Sequence, residues 1–281
     1  LRPDLVRWLA QYVGAELADT LAPTWFTCIG LAGVVALVMS VALARRRGID
    51  RGFVATAVLS GYVAAVVAGI CVPMAIDAIG DVVANGRLRV HWSGMTSFWG
   101  YLAGAAAVVA TCRRAGVPAA RMADLAAVPL GVALVLARTG CFVAGCDYGT
   151  VSSLPWAIRF PAGSPAWRDH VRHGLVSASS PTSLPVHPTE LYEAMLGLVI
   201  VAVAAVAARR PRRDGVIFLA AATTYADGRL LIETVRGDAE RGVHAGVSSG
   251  QIFCLLVLAA VGAAVVVGTR RAARLGDAAP S

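Results

Sequence analysis

Seven apolar runs constrain this chain of 281 residues more than any motif in it; they lie at roughly 24–44, 53–75, 96–112, 122–138, 189–208, 215–235 and 249–268. A helix needs about 20 consecutive apolar residues to cross the hydrocarbon of a bilayer. Once there, every backbone polar group has to be satisfied within the segment. The runs therefore predict seven transmembrane helices and an all-α membrane protein. Composition agrees: 57% of the residues are hydrophobic and 15% charged, whereas soluble domains carry about 25% charge.

Arginine supplies all 25 basic residues, and the formal net charge is +8. No basic stripe interleaved with aromatics is present, so nucleic acid is not an expected partner. The arginines instead cluster between runs. Arg45, Arg46, Arg47 and Arg51 separate the first two, and Arg113, Arg114 and Arg121 the third and fourth. Arg209, Arg210, Arg212 and Arg213 separate the fifth and sixth; Arg270, Arg271 and Arg274 follow the seventh. With seven spans, every cluster falls on one side, which the positive-inside rule makes the cytoplasm. The N-terminus is then outside and the C-terminus cytoplasmic.

The outer loops are 76–95, 139–188 and 236–248. The middle one is too long to be a simple connection and is expected to carry structure of its own as a periplasmic insertion. Within it, "WAIRF" (156–160) alternates like a short strand. Residues 1–23 form a separate amphipathic segment on the outer interface, with Leu5, Trp8, Leu9, Tyr12 and Leu17 near helical spacing. Residues 24–281 make up the membrane domain. "GYVAAVVAG" (61–69) and "GYLAGAAA" (100–107) are dense in small residues that let helices approach closely in lipid. The sequence opens on Leu1 rather than methionine, which implies trimming, and no cleavable signal is legible.

Some charges have no topological role. Arg138, Arg229 and Arg236 lie at or inside apolar segments on the outer side, where a charge costs about 2.5–3.5 kcal/mol on insertion scales. Arg229, Glu233 and Arg236 follow i, i+4 and i+3 spacing along one face, either as a buried ion-pair ladder or as part of a site. His187 precedes Pro188 at the start of the fifth run, where Thr189 is a candidate cap and Glu190 and Glu193 lie near the positive helix end. Tyr192 belongs to the interfacial belt. Together these residues suggest a positively charged cavity of headgroup size, because the arginine fork matches phosphate. The fitting chemistry is displacement at a carbon whose leaving group is a phosphate ester. Arg138 and Arg229 neutralise that group, His187 accepts a proton with Glu190 or Glu193 orienting it, and Glu233 and Arg236 form a supporting pair. That chemistry requires no metal and no organic cofactor.

In "ARTGCFVAGCDYG" (137–149), "HPTELYEA" (187–194) and "GRLLIETVRGD" followed by "SSGQI" (228–238, 248–252), the chain resembles the prolipoprotein diacylglyceryl transferase family. "GMTSFWGYLAG" (94–104) resembles that family's Ser-Phe-His-Gly-Gly segment, and "ARTGCFVAGCDYG" its Gly-Arg-x-Gly-Asn-Phe signature. "HPTELYEA" is similar to its His-Pro-(Ser/Thr)-Gln-Leu-Tyr-Glu segment. The resemblance implies a seven-span enzyme of the bacterial inner membrane with its active site towards the periplasm. It implies transfer of diacylglycerol from an anionic phospholipid, phosphatidylglycerol, to a thiol such as a lipobox cysteine, releasing glycerol phosphate. By position, Arg138, Arg229 and His187 would be catalytic. Tyr192, Glu190, Glu193, Glu233 and Arg236 would bind substrate, together with the residues at the departures Cys141, Cys146 and Trp99.

Those departures are marked. Trp99 stands where the family has histidine, Cys141 and Ala144 replace asparagines, Cys146 replaces a glutamate and Ala137 a glycine. The chain reads as a divergent paralogue with an altered headgroup or acceptor. The alternatives are a non-catalytic phospholipid-binding protein, a transferase with another acceptor, or a thiol-redox membrane protein. The six cysteines do not form a disulfide framework, and Cys141 and Cys146 are the only candidate pair. They remain open between buried apolar packing, an outward-facing disulfide and a reactive thiol that carries lipid. A metal site from Cys141, Cys146 and His187 lacks a recognised zinc spacing.

Overall fold

The computed structural model describes residues 2–13, 25–90, 97–209, 213–238, 243–244 and 246–276. In chain order the helices are α1 (Arg2–Val13), α2 (Trp25–Ala44), α3 (Arg51–Asn85), α4 (Ser97–Arg114), α5 (Ala119–Ala144), α6 (Pro165–Arg172), α7 (Thr189–Ala207), α8 (Val216–Glu233) and α9 (Ser249–Gly276). A two-stranded antiparallel ladder, β1 (Val243–His244) and β2 (Val247–Ser248), precedes α9.

Every expected apolar run is helical. Among the described residues, five of these helices are long and apolar enough to cross a membrane: Phe26–Arg47, Arg51–Asn85, Ala119–Ala144, Thr189–Ala207 and Ser249–Arg270. The other two, α4 and α8, have 18 residues each; α4 ends on Arg113 and Arg114, and α8 contains Asp227, Arg229 and Glu233. Large apolar side chains stand exposed along the helices, among them Val34 and Val38 on α2, Val63 and Val67 on α3, Leu198 and Val199 on α7, and Leu255 and Leu256 on α9. A water-soluble surface rarely carries so much.

Several boundaries differ from the sequence reading. Helix α3 continues to Asn85 and takes in the first half of the expected outer loop, before Gly86 closes it in the left-handed conformation. Helix α5 continues to Ala144, so Arg138 lies inside the helix and not at its edge. The amphipathic segment is helical over Arg2–Val13 with Trp8 and Tyr12 exposed; its remainder, including Leu17, lies outside the described residues. So do His91–Thr96 at the head of the "GMTSFWGYLAG" segment, and Arg210 and Arg212.

The chain divides into two compact units, Gly33–Pro129 and the pair of segments Leu1–Ala32 and Leu130–Ser281. In the first, α3 packs on α4 around a core containing Val54, Ala57, Cys112, Met122 and Leu125. In the second, α7 packs on α8 and α8 on α9. Helices α5 and α7 touch through small residues: a Cβ on Gly131 would lie 3.1 Å from the Gly197 carbonyl, and one on Gly197 2.9 Å from the Gly131 carbonyl. That contact fixes the two helices that carry Arg138 and Glu193.

Residues 145–188, after the end of α5, carry structure of their own. Phe160, Ala166, Val186 and Tyr148 form their core, with Phe142 packed against them. Ser164 caps α6 through the Trp167 N–H, and Pro165 starts it, as suits a first helical position. The buried His170 accepts the Leu184 N–H at Nδ1 (3.1 Å); burial lowers its pKa and keeps the ring neutral. "WAIRF" is not a strand: Ile158 makes an isolated bridge to Val186.

Three chain segments, two of them from this stretch, interlock through their backbones. Gly149 N–H donates to the His187 carbonyl (2.9 Å), His187 N–H to Thr150 (3.0 Å), Thr150 N–H to Val235 (2.8 Å) and Gly237 N–H to Tyr148 (3.1 Å). The backbones meet so closely that a Cβ on Gly237 would lie 2.6 Å from the Gly149 carbonyl group. Gly237→Ala should therefore destabilise the fold by about 1–3 kcal/mol through overpacking. Gly268→Ala, on α9 with open space around the new methyl, should not. Thermal unfolding of both variants in detergent checks this.

Candidate active site

The interlocked segments carry the ends of α5 and α8 and the start of α7, and so bring three arginines onto one carboxylate. Glu193, fully buried on α7, lies 2.9 Å from Arg138 Nε, 3.7 Å from Arg229 Nε and 3.7 Å from Arg236 Nη1. Asp147 bridges two of the same cations, 2.5 Å from Arg138 Nη1 and 2.6 Å from Arg236 Nη2. Arg138, Glu193, Arg236 and Asp147 thus close a ring of alternating charge. Arg229 extends it to Glu233, its i+4 neighbour on α8. Arg236 lies past the helix end and takes Asp238 bidentately, at 2.5 and 3.0 Å.

Burial alone would raise the Asp147 carboxyl, but the guanidiniums of Arg138 and Arg236 outweigh it and hold the pKa below the ordinary range. Burial likewise works against the Arg236 cation, and Asp147 and Asp238 more than reverse it. The cluster was expected to be positive. It contains three guanidiniums and four carboxylates, Asp147, Glu193, Glu233 and Asp238, before Glu190 is counted. Arginine concentration alone therefore does not make this an anion sink.

Geometry leaves capacity for a substrate. Neither oxygen of Glu193 or Glu233 makes an aligned hydrogen bond, despite the close cations. Glu190 is fully buried, and among the described residues neither of its carboxyl oxygens has a hydrogen-bond partner. Such a group is costly unless something else satisfies it. Gly250, in the first turn of α9, gives Glu233 and Arg229 room: a Cβ there would lie 3.0 Å from Glu233 Oε2 and 3.3 Å from Arg229 Nη2.

His187 has a different neighbour from the one expected. Its Nδ1 lies 3.2 Å from the Tyr192 hydroxyl, not against Glu190 or Glu193, and that hydroxyl also accepts the Trp156 indole N–H at 2.7 Å. Thr189 does not cap α7; its hydroxyl donates to the Asp147 carbonyl. Trp99 belongs to the other compact unit, where its ring lies edge-on to Phe98. Cys141 and Cys146 are free thiols, and with Asp147 they offer ligand atoms within 4.8 Å of one another. The sequence reading missed Asp147, Asp238 and Trp156. An acid directly after Cys146, at the end of an apolar helix holding an arginine, was the available signal for the first.

Fold and site define a helical membrane protein with a buried arginine–carboxylate cluster where its helices end. The chain belongs to the prolipoprotein diacylglyceryl transferase family, whose sequence pattern it matches over residues 16–267. It is 34% identical over 192 residues to the phosphatidylglycerol–prolipoprotein diacylglyceryl transferase of Geobacter sulfurreducens, covering 66% of each chain. The like-named protein of Clostridium tetani is 23% identical over 82% of this chain and 86% of its own. That of Rhizobium meliloti is 30% identical over 69% of this chain and 66% of its own.

The depressed Asp147 pKa has a consequence for stability. Its ionised form stabilises the fold at every pH above the ordinary carboxylate range, and that gain is lost as pH falls through the depressed value. Thermal melts taken from neutral to acid pH should show a steeper loss in the wild type than in Asp147→Asn.

Proposed function

We propose that the chain transfers a diacylglyceryl group from phosphatidylglycerol to the thiol of a lipoprotein precursor, in a bacterial inner membrane. The observation that carries this is the convergence of Arg138, Arg229 and Arg236 on Glu193. Guanidiniums already held in place present N–H donors to a phosphate without reorganising during the reaction. Arg138 and Arg229 bind the phosphate ester. The acceptor sulfur attacks the glyceryl carbon, a C–S bond forms, the C–O bond to phosphate breaks, and glycerol phosphate leaves with its charge spread over the guanidiniums.

His187 takes the thiol proton. The Tyr192 oxygen has two lone pairs, enough to accept both the Trp156 indole and a His187 Nδ1–H, which leaves Nε2 as the base. The buried, unpartnered Glu190 carboxyl accepts the hydroxyls of the glycerol headgroup. In this reading α4 and α8 complete the five more apolar helices as seven spans, with the N-terminus and the site on the periplasmic side. The arginine clusters then all face the cytoplasm.

Membranes containing the chain, given headgroup-labelled phosphatidylglycerol and a lipobox peptide, should release glycerol phosphate. Arg138→Ala or Arg229→Ala should lower release at least about 10²-fold, and Arg138→Lys should not restore it, because ammonium lacks the planar fork. Lipid capture without release would instead favour a binding protein. For orientation, alkaline phosphatase fused after Ser179 should be active, and fused after Arg213 inactive.

A further inference from the structure

Cys141 and Cys146 are placed together by the way α5 ends. Gly145 adopts the left-handed conformation (φ 71°), and both its N–H (2.7 Å) and that of Cys146 (3.4 Å) donate to the Cys141 carbonyl. This six-residue cap brings the side chains of its first and last residues into contact. The Cys146 Sγ lies 3.7 Å from the Cys141 carbonyl, and the two sulfurs lie within 4.8 Å. The turn has little room to open. On one side a Cβ at Gly145 would stand 2.8 Å from the Phe160 ring; on the other, Asp147 is tied to Arg138 and Arg236. The two positions where thiols replace the resembled signature are the two that the cap joins.

Charge decides what such a pair can become. A thiolate resting here with no cation beside it would add negative charge to a cluster already holding four carboxylates against three guanidiniums. A hydrogen bond from the Cys146 thiol to Cys141, burial and the Asp147 charge all raise the Cys146 pKa. A diacylglyceryl group carried on either sulfur would be a thioether, whose thiolate is too poor a leaving group to pass it on. A disulfide adds no charge.

We propose that Cys141 and Cys146 form a disulfide that locks the turn seating Asp147 between Arg138 and Arg236. It forms by exchange with a disulfide donor. One cysteine sulfur bonds to a donor sulfur and releases the first donor thiol. The second cysteine sulfur then displaces the other donor thiol, and the two cysteine protons end on the two thiols released. The role of this site in lipid transfer rests on the proposed function; formation of the bond does not. Nor does it depend on the outward orientation, because the test supplies the donor to purified protein.

The purified full-length chain is incubated with oxidised glutathione, alkylated under denaturing conditions, and mapped by mass spectrometry before and after reduction. Cys141 and Cys146 should escape alkylation and appear as one linked peptide, two hydrogens lighter than the dithiol form. In Cys141→Ser the exchange can go no further than its first step, so Cys146 should be alkylated or carry glutathione and the two-hydrogen loss should be absent. Reduction should lower the thermal midpoint of the oxidised wild type and leave that of the Cys141→Ser, Cys146→Ser double variant unmoved. Full alkylation of both cysteines after glutathione treatment, or a reduction-induced shift that persists in the double variant, would overturn the proposal.

Discussion

One buried carboxylate makes the rest of the site possible. Without Glu193, Arg138 and Arg236 would keep Asp147 and Arg229 would keep Glu233, but no carboxylate would draw all three guanidiniums together. With it, and with Asp147 closing the ring, the guanidiniums are neutralised before any ligand arrives. Removing one partner from such a cluster costs about 3–5 kcal/mol, because the charges left behind stay buried. The backbone ties among residues 148–150, 187 and 235–237 serve the same end, since they hold three separate helix ends in register.

This changes how an anionic substrate is recognised. The arginine-rich sequence suggests a positive cavity that attracts phosphate by charge. With carboxylates in excess, selection has to come from the direction of N–H donors and from desolvation as lipid replaces water. Bidentate guanidinium geometry supplies the first. Under the proposed function, Glu190, whose buried carboxyl oxygens have no hydrogen-bond partner among the described residues, is an acceptor that a polyol headgroup would use and an unadorned phosphate would not.

Much of this was legible in the sequence because bilayer length and cost leave few options. The seven apolar runs gave helices, and Arg138, Arg229 and Arg236 stood out as charges without a topological purpose. Asp147 escaped notice because its importance comes from contacts 9 and 89 residues away, which helical spacing does not encode. The role of Glu193 escaped for the same reason: one residue serves three helix ends only after they meet. Trp156 read as part of an alternating strand, whereas its value lies in an indole N–H aimed at Tyr192. The sign of the site's charge was misread because the arginines are conspicuous in apolar sequence, while three of their four carboxylates lie at helix ends and in turns.

Native mass spectrometry of the detergent-solubilised chain with phosphatidylglycerol tests the central claim most directly, since it reads lipid capture without requiring turnover. The wild type should retain one lipid through delipidating washes, and Arg138→Gln and Arg229→Gln should each lose it. Equal retention by all three would mean that the guanidiniums gathered on Glu193 only hold helices together and do not bind the lipid phosphate.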